Sequence, residues 1–208
     1  MIVGITGSVG TGKSTVSRMF ERKGAVRIDA DALAHEAIEQ GNSPYRSVVR
    51  FFGKEILRKD GTIDRKRLAQ IVFKDRKKLK TLNTMIHPYV IRQIGEEVQR
   101  ILRRRRKVCI VVEIPLLHES RLTEMLDRII TVSCRSSVQK ERWLKRGWSV
   151  RELTERCASQ LPLSYKKEHS DFVIDNSERI WDTEAQVNHI WEVINHDQRK
   201  EKKWQNKK

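Results

Sequence analysis

The chain opens on an apolar run, "MIVGIT", that leads straight into Gly7-Ser8-Val9-Gly10-Thr11-Gly12-Lys13-Ser14 and then into a stretch with Val16, Met19 and Phe20 at helical spacing. No other feature restricts the fold as strongly. The pattern G-x-x-x-x-G-K-[ST] requires glycines so that successive backbone N–H groups can turn inward around phosphates. Lys13 then supplies a cation to the β- and γ-phosphates, the Ser14 hydroxyl is a ligand for Mg²⁺, and the following helix aims its positive end at the same anion. The residues expected to bind ATP are therefore Gly7, Ser8, Val9, Gly10, Thr11, Gly12, Lys13, Ser14 and Thr15, with Mg²⁺ on Ser14 as the cofactor.

Gly24 ends the helix, and "AVRIDAD" reads as a second strand closing on two carboxylates. Strand, glycine loop, helix and strand in so short a span form a βαβ unit, which implies a parallel sheet. "VCIVVEIPLL" (residues 108–117) reads as a central strand, with "RIITVSC" (128–134) and "DFVIDN" (171–176) as further strands. Between the second and third runs the texture is helical, with breaks predicted at residues 41–44, at "KDGTID" and at His87-Pro88, and with Asp64 as an N-cap. Val187, Ile190, Trp191 and Ile194 mark an amphipathic closing helix over 183–195.

At 208 residues there is room for one domain with an insertion and a lid. Lys and Arg outnumber Asp and Glu by 43 to 27, giving a formal charge of +16. Such a charge points to polyanionic partners: nucleic acid, an acidic membrane surface or phosphorylated small molecules. Much of it lies in Arg103–Lys107 and in the tail from Gln198, and each segment reads either as a nucleic-acid footprint or as a solvated helix end and a basic terminus. Three widely spaced cysteines indicate neither a disulfide framework nor a zinc site. With no leader-like segment and no long apolar run, a cytoplasmic protein without a membrane partner is expected.

Asp29 and Asp31 close the second strand on the sheet edge where ligands gather. A carboxylate there can accept the proton of an attacking hydroxyl or hold a metal-bound water. On the residues alone, Asp31 can equally be the N-cap of "ALAHEAIEQ".

In order along the chain, "GITGSVGTGKSTV", "IDADALAHE", "FFGKEIL", "DGTIDRKRLAQIVF", "IHPYV", "EIPLLHE", "ERWLKR", "ASQL" and "DFVIDN" resemble the dephospho-coenzyme A kinase family, from Ile2 to about Val187. The resemblance implies an α/β, three-layer P-loop fold with a parallel five-stranded sheet, a helical acceptor-binding insertion and a helical lid. On that pattern the core is 1–31, 107–136 and 170–196, the insertion 32–106 and the lid region 137–169, followed by a basic tail at 197–208. It also implies transfer of the γ-phosphoryl group of ATP to the ribose 3′-hydroxyl of dephospho-coenzyme A, the last step of coenzyme A synthesis, with a monomer favoured.

By the same resemblance Asp31 is the base and also touches the acceptor, and Asp29 is its structural or orienting companion. Lys13 and the lid arginines Arg142 and Arg146 neutralise the transferring group, and His87 lies near the acceptor, with Pro88 breaking the helix there. Gln160 falls at the lid base and Asn176 at the adenine end of the ATP site. Two positions depart from the family pattern: Glu113, two residues before Pro115, and Glu178, where glycine is usual. Another nucleoside or nucleotide kinase of the same fold and a nucleic-acid-associated P-loop ATPase are the alternatives. Against the latter, the basic stretches lack interleaved aromatics.

Overall fold

Five short apolar runs form the strands β1 (Ile2–Gly7), β2 (Val26–Asp29), β3 (Ile110–Glu113), β4 (Arg128–Ser133) and β5 (Phe172–Asp175). The helices are α1 (Lys13–Arg22), α2 (Ala30–Ala37), α3 (Ser43–Phe52), α4 (Arg65–Lys74), α5 (Arg76–Arg104), α6 (Ser136–Lys145), α7 (Val150–Ala158), α8 (Leu163–Glu168) and α9 (Ile180–Gln205). This computed structural model describes residues 1–105 and 107–205, with only the backbone described for residues 121 and 197–205.

All five strands pair in parallel, in the order β2-β3-β1-β4-β5. The chain leaves β1 toward β2 on one side and later returns to place β4 on the other. The loop after β1 therefore opens at the switch point of the sheet, where a crevice forms. The run 108–117 gives the fully buried β3, flanked on both sides as expected, although β1 holds the middle.

Both sheet faces are apolar, because alternate residues of a strand point to opposite sides. Ile110 and Val112 pack with Ile28, Ile86 and Val90, beneath α2–α5, while Val111 packs with Val3, Ile5, Phe20 and Ile190, beneath α1 and α9. The result is three layers. The segments α6–α8 lie between β4 and β5. Among the described residues, no helix is long and apolar enough to cross a membrane.

Three local expectations need correction. The helix does not break at His87-Pro88, because α5 runs through Pro88 from Arg76 to Arg104. Proline removes one backbone hydrogen bond, but burial of Leu82, Ile86, Tyr89, Val90, Ile94, Val98 and Ile101 along one face holds the helix together across the gap. Second, β2 stops at Asp29, because Asp29 itself caps the next helix: its carboxylate accepts from the N–H groups of Asp31 and Ala32, both at 3.1 Å. Asp31 is thus not the cap but a first-turn residue. Third, the closing helix is longer than residues 183–195 at both ends and carries the basic segment on as far as Gln205, while residues 206–208 lie outside the described residues. Asp64 does cap α4, accepting from Lys66 and Arg67. Arg103 and Arg104 lie exposed in the last turn of α5, where cations complement the helix dipole; Arg106 lies outside the described residues.

Candidate active site

The loop after β1 is held from three sides by its carbonyls. Ser8 O accepts from Lys13 Nζ at 3.0 Å and from Thr11 Oγ1 at 2.9 Å. Val9 O accepts from the Gln139 amide of α6, and Thr11 O from Asn176 Nδ2 at 2.8 Å. With these carbonyls engaged, the loop's N–H groups, apart from that of Thr11, which donates to Ser8 O at 3.4 Å, are what remain for an anion. Gly12 has φ +97, a left-handed conformation, and a Cβ there would collide with Asn176 Nδ2. Only glycine fits this corner.

Lys13 is buried to 9% exposure, and its ammonium rests on the carbonyls of Gly7 and Ser8. Burial pulls its pKa down to about 8, against the upward pull of Asp31 and Glu113. The Asp31 carboxylate is reached by solvent, yet protein surrounds it on most sides, so desolvation raises its pKa while Lys13 opposes the rise. No donor among the described residues bonds that carboxylate. Because Asp29 does the capping, Asp31 is free to act on a ligand.

The departure at Glu113 proves to be a hub. Glu113, the last residue of β3, lies in register beside Ile5 of β1 and beside Asp29, the last residue of β2. Its carboxylate accepts from Ser14 Oγ at 2.5 Å, Ser17 Oγ at 2.9 Å and Arg27 Nη2 at 2.9 Å. Arg27 also reaches Asp29 at 2.7 Å, which links the phosphate loop, the sheet and the α2 cap in one chain of contacts. Hard oxygen donors of this kind suit Mg²⁺. Among the described residues no group of three or more His, Cys, Asp or Glu is gathered as a metal cage, here or elsewhere.

The two arginines of the α6 segment part company. Arg142 Nη1 is buried with no hydrogen-bond partner and stands 3.7 Å from where a Gly12 Cβ would be. An unpaired buried guanidinium nitrogen beside a phosphate loop fits an anion. Arg146 closes α6 as its C-cap, with its side chain out in solvent. Asn176 has both ends of its amide in use, donating to Thr11 O and accepting from Thr183 Oγ1 at 3.0 Å.

His87 of α5 is half-buried; desolvation lowers its pKa while Glu119 opposes. Glu119 accepts from the Leu161 N–H at 2.8 Å and lies 3.4 Å from the ammonium of Lys166, so it ties the segment after β3 to α8 and to the turn before it. The Gln160 side-chain oxygen beside it is buried and unpaired. A groove of about 380 Å³ between β5 and α9, lined by Phe172, Val173 and His189, contains none of these residues.

Sequence reasoning missed Gln139, Lys166 and the scale of the Glu113 network. For Glu113 a signal existed, a lone charge at the end of a buried strand. Gln139 and Lys166 sit in charged helical segments that offer none.

A loop of this build can serve an ATPase as well as a transferase. The five-stranded parallel sheet, with this loop at its switch point and helices packed on both faces, makes the molecule a P-loop kinase by fold. The dephospho-CoA kinase family matches residues 1–182, and the chain belongs to that family. It is 39% identical to the dephospho-CoA kinase of Aquifex aeolicus, over 94% of this chain and 98% of that one. With the Bacillus cereus dephospho-CoA kinase it shares 37% identity, over 93% and 98% respectively. A solved Thermus thermophilus protein superposes with a TM-score of 0.77 at 32% identity, covering 92% of this chain and 96% of its own. The Campylobacter jejuni dephospho-CoA kinase gives 0.66 at 26% identity, covering 93% and 96%. A shikimate kinase from Bacteroides thetaiotaomicron, at 14% identity and a TM-score of 0.54, shares the fold alone.

Proposed function

We propose that the protein transfers the γ-phosphoryl group of ATP to the ribose 3′-hydroxyl of dephospho-coenzyme A, giving coenzyme A and ADP, the last step of coenzyme A synthesis. The observation that carries this reading is the position of Asp31, its carboxylate without a hydrogen-bond partner among the described residues, in the first turn after β2, on the sheet edge that also carries Lys13 of the phosphate loop. Family membership selects the acceptor.

In this reading the loop from Gly7 to Thr15 grips the triphosphate, and Lys13 leaves its carbonyls for the β- and γ-phosphates. Mg²⁺ would be held by Ser14 beside Glu113 and would neutralise phosphate charge when bound. Asp31 accepts the proton of the 3′-hydroxyl, and its raised pKa suits a base working nearer neutrality. Arg142 supplies its unpaired nitrogen to the transferring group. Arg146 reaches the nucleotide only if the lid closes further. His87 borders the acceptor, and Asn176 acts by fixing the loop at Thr11 and Gly12. Residues 32–106 serve as the acceptor-binding insertion and 137–169 as the lid. The formal charge of +16 matches two polyanionic substrates.

The test is direct. Purified protein, ATP, Mg²⁺ and dephospho-coenzyme A should yield 3′-phosphorylated product. No such product, with another nucleoside phosphorylated in its place, would overturn the reading.

A further inference from the structure

Arg156 of α7 sits in an aromatic clasp. Its guanidinium carbon lies 4.5 Å from the ring centroid of Phe73, 4.8 Å from that of Trp148 and 5.8 Å from that of Trp143. Phe73 belongs to α4 of the insertion, whereas the two tryptophans belong to the lid. The arginine therefore stands on the seam between the two units. Arg76 of α5 holds the same seam, donating to Ala158 O at the end of α7 at 3.0 Å.

Rings engage the flat faces of a guanidinium and leave its N–H edge for a planar, forked partner. No hydrogen bond or ion pair joins that edge to another described residue. The group is half-buried, and that burial opposes its charge while Glu152 and, more weakly, Asp31 support it. A cation whose faces are fixed and whose donors are unused is preorganised for phosphate. The donor side already has Arg142 against Gly12. Arg156 is clasped from the acceptor side.

We propose that Arg156 binds a phosphate of the acceptor's diphosphate, so that acceptor binding also draws the insertion and the lid together across Phe73. The inference rests on the function proposed above and adds a residue to its acceptor site.

Wild type, R156M, R156K and F73L are titrated separately with dephospho-coenzyme A and with ATP, and thermal unfolding is recorded for each. R156M should weaken dephospho-coenzyme A binding by about tenfold or more while ATP binding changes by less than about twofold, the loss expected for one charge-assisted phosphate contact. R156K keeps the charge but not the planar fork, and should fall between wild type and R156M; it carries the comparison if R156M does not fold. F73L should weaken the acceptor less than R156M does, and adding it to R156M should weaken the acceptor no further. Equal loss for both ligands, loss for ATP alone, or unchanged acceptor binding in R156M would each overturn the assignment. Wild-type protein that does not bind dephospho-coenzyme A would overturn the functional reading itself.

Discussion

Replacing Glu113 by Gln keeps the shape of the side chain and removes its charge. In the native protein this carboxylate accepts from Ser14, Ser17 and Arg27, and its side chain is 6% exposed. The new amide can turn its NH2 to Ser14, whose hydroxyl rotates to accept, and keep its oxygen on Ser17 and Arg27, so the bonds survive in a weaker, neutral form. The guanidinium of Arg27 then keeps, among the described residues, a carboxylate partner only in Asp29 at 2.7 Å. Hydrogen bonds to a charged group contribute about 1.5–3 kcal/mol, against about 1 for neutral ones. Downgrading three such bonds, with Arg27 discounted for its partial exposure, gives a loss of about 2–3 kcal/mol. For a domain of this size that is a fall of roughly 4–12 °C in Tm. Calorimetric unfolding of wild type, E113Q, R27M and the double variant is the assay. E113Q and R27M should be coupled by about 1 kcal/mol or more, because they remove the same contact. A Tm within about 1 °C of wild type, or additive single effects, would refute the hub.

Three further outcomes follow from the site. Lys13 has a pKa of about 8 in the folded protein against 10.5 unfolded, so the burial penalty on its charge is fully present below pH 8 and is relieved as pH rises toward 10.5. ATP affinity should move the other way, falling above about pH 8 as the free enzyme loses this cation; calorimetric titration showing a flat profile to about pH 9.5 would contradict it. G12A must place alanine at φ +97 and displace Asn176, so it should lose about 1–2 kcal/mol of stability and raise the KM for ATP about tenfold or more; an unchanged KM would count against the clamp. D31N should cut kcat by about 10²–10⁴ while the dissociation constant for ATP moves by less than about threefold, and near-native turnover would show that Asp31 is not the base.

The phosphate loop was fully legible along the chain, because its function depends on consecutive backbone N–H groups and needs no distant residue. The strands were legible for a similar reason: runs such as Ile110–Glu113 are buried on both faces and so read as continuous apolar segments. Pro88 misled because a local propensity was outweighed by seven buried residues of α5. Asp29 and Asp31 were ambiguous because both can cap a helix two residues apart. Their roles separated only when the path of the chain made Asp29 the last residue of β2.

By itself, then, the sequence determined the donor half of the protein, the parallel α/β layering and the family pattern that names the acceptor. All of these rest on contiguous residues and on periodicity. The tertiary structure decided which distant groups share the cleft. It brought Glu113 to Ser14 across 99 positions and Asn176 to Thr11 across 165, and it set Arg142 at the loop while leaving Arg146 in solvent. Such pairings are fixed by strand order and register, and those follow from how both sheet faces are buried at once. That is a property of the whole packed chain, which no short stretch of it carries.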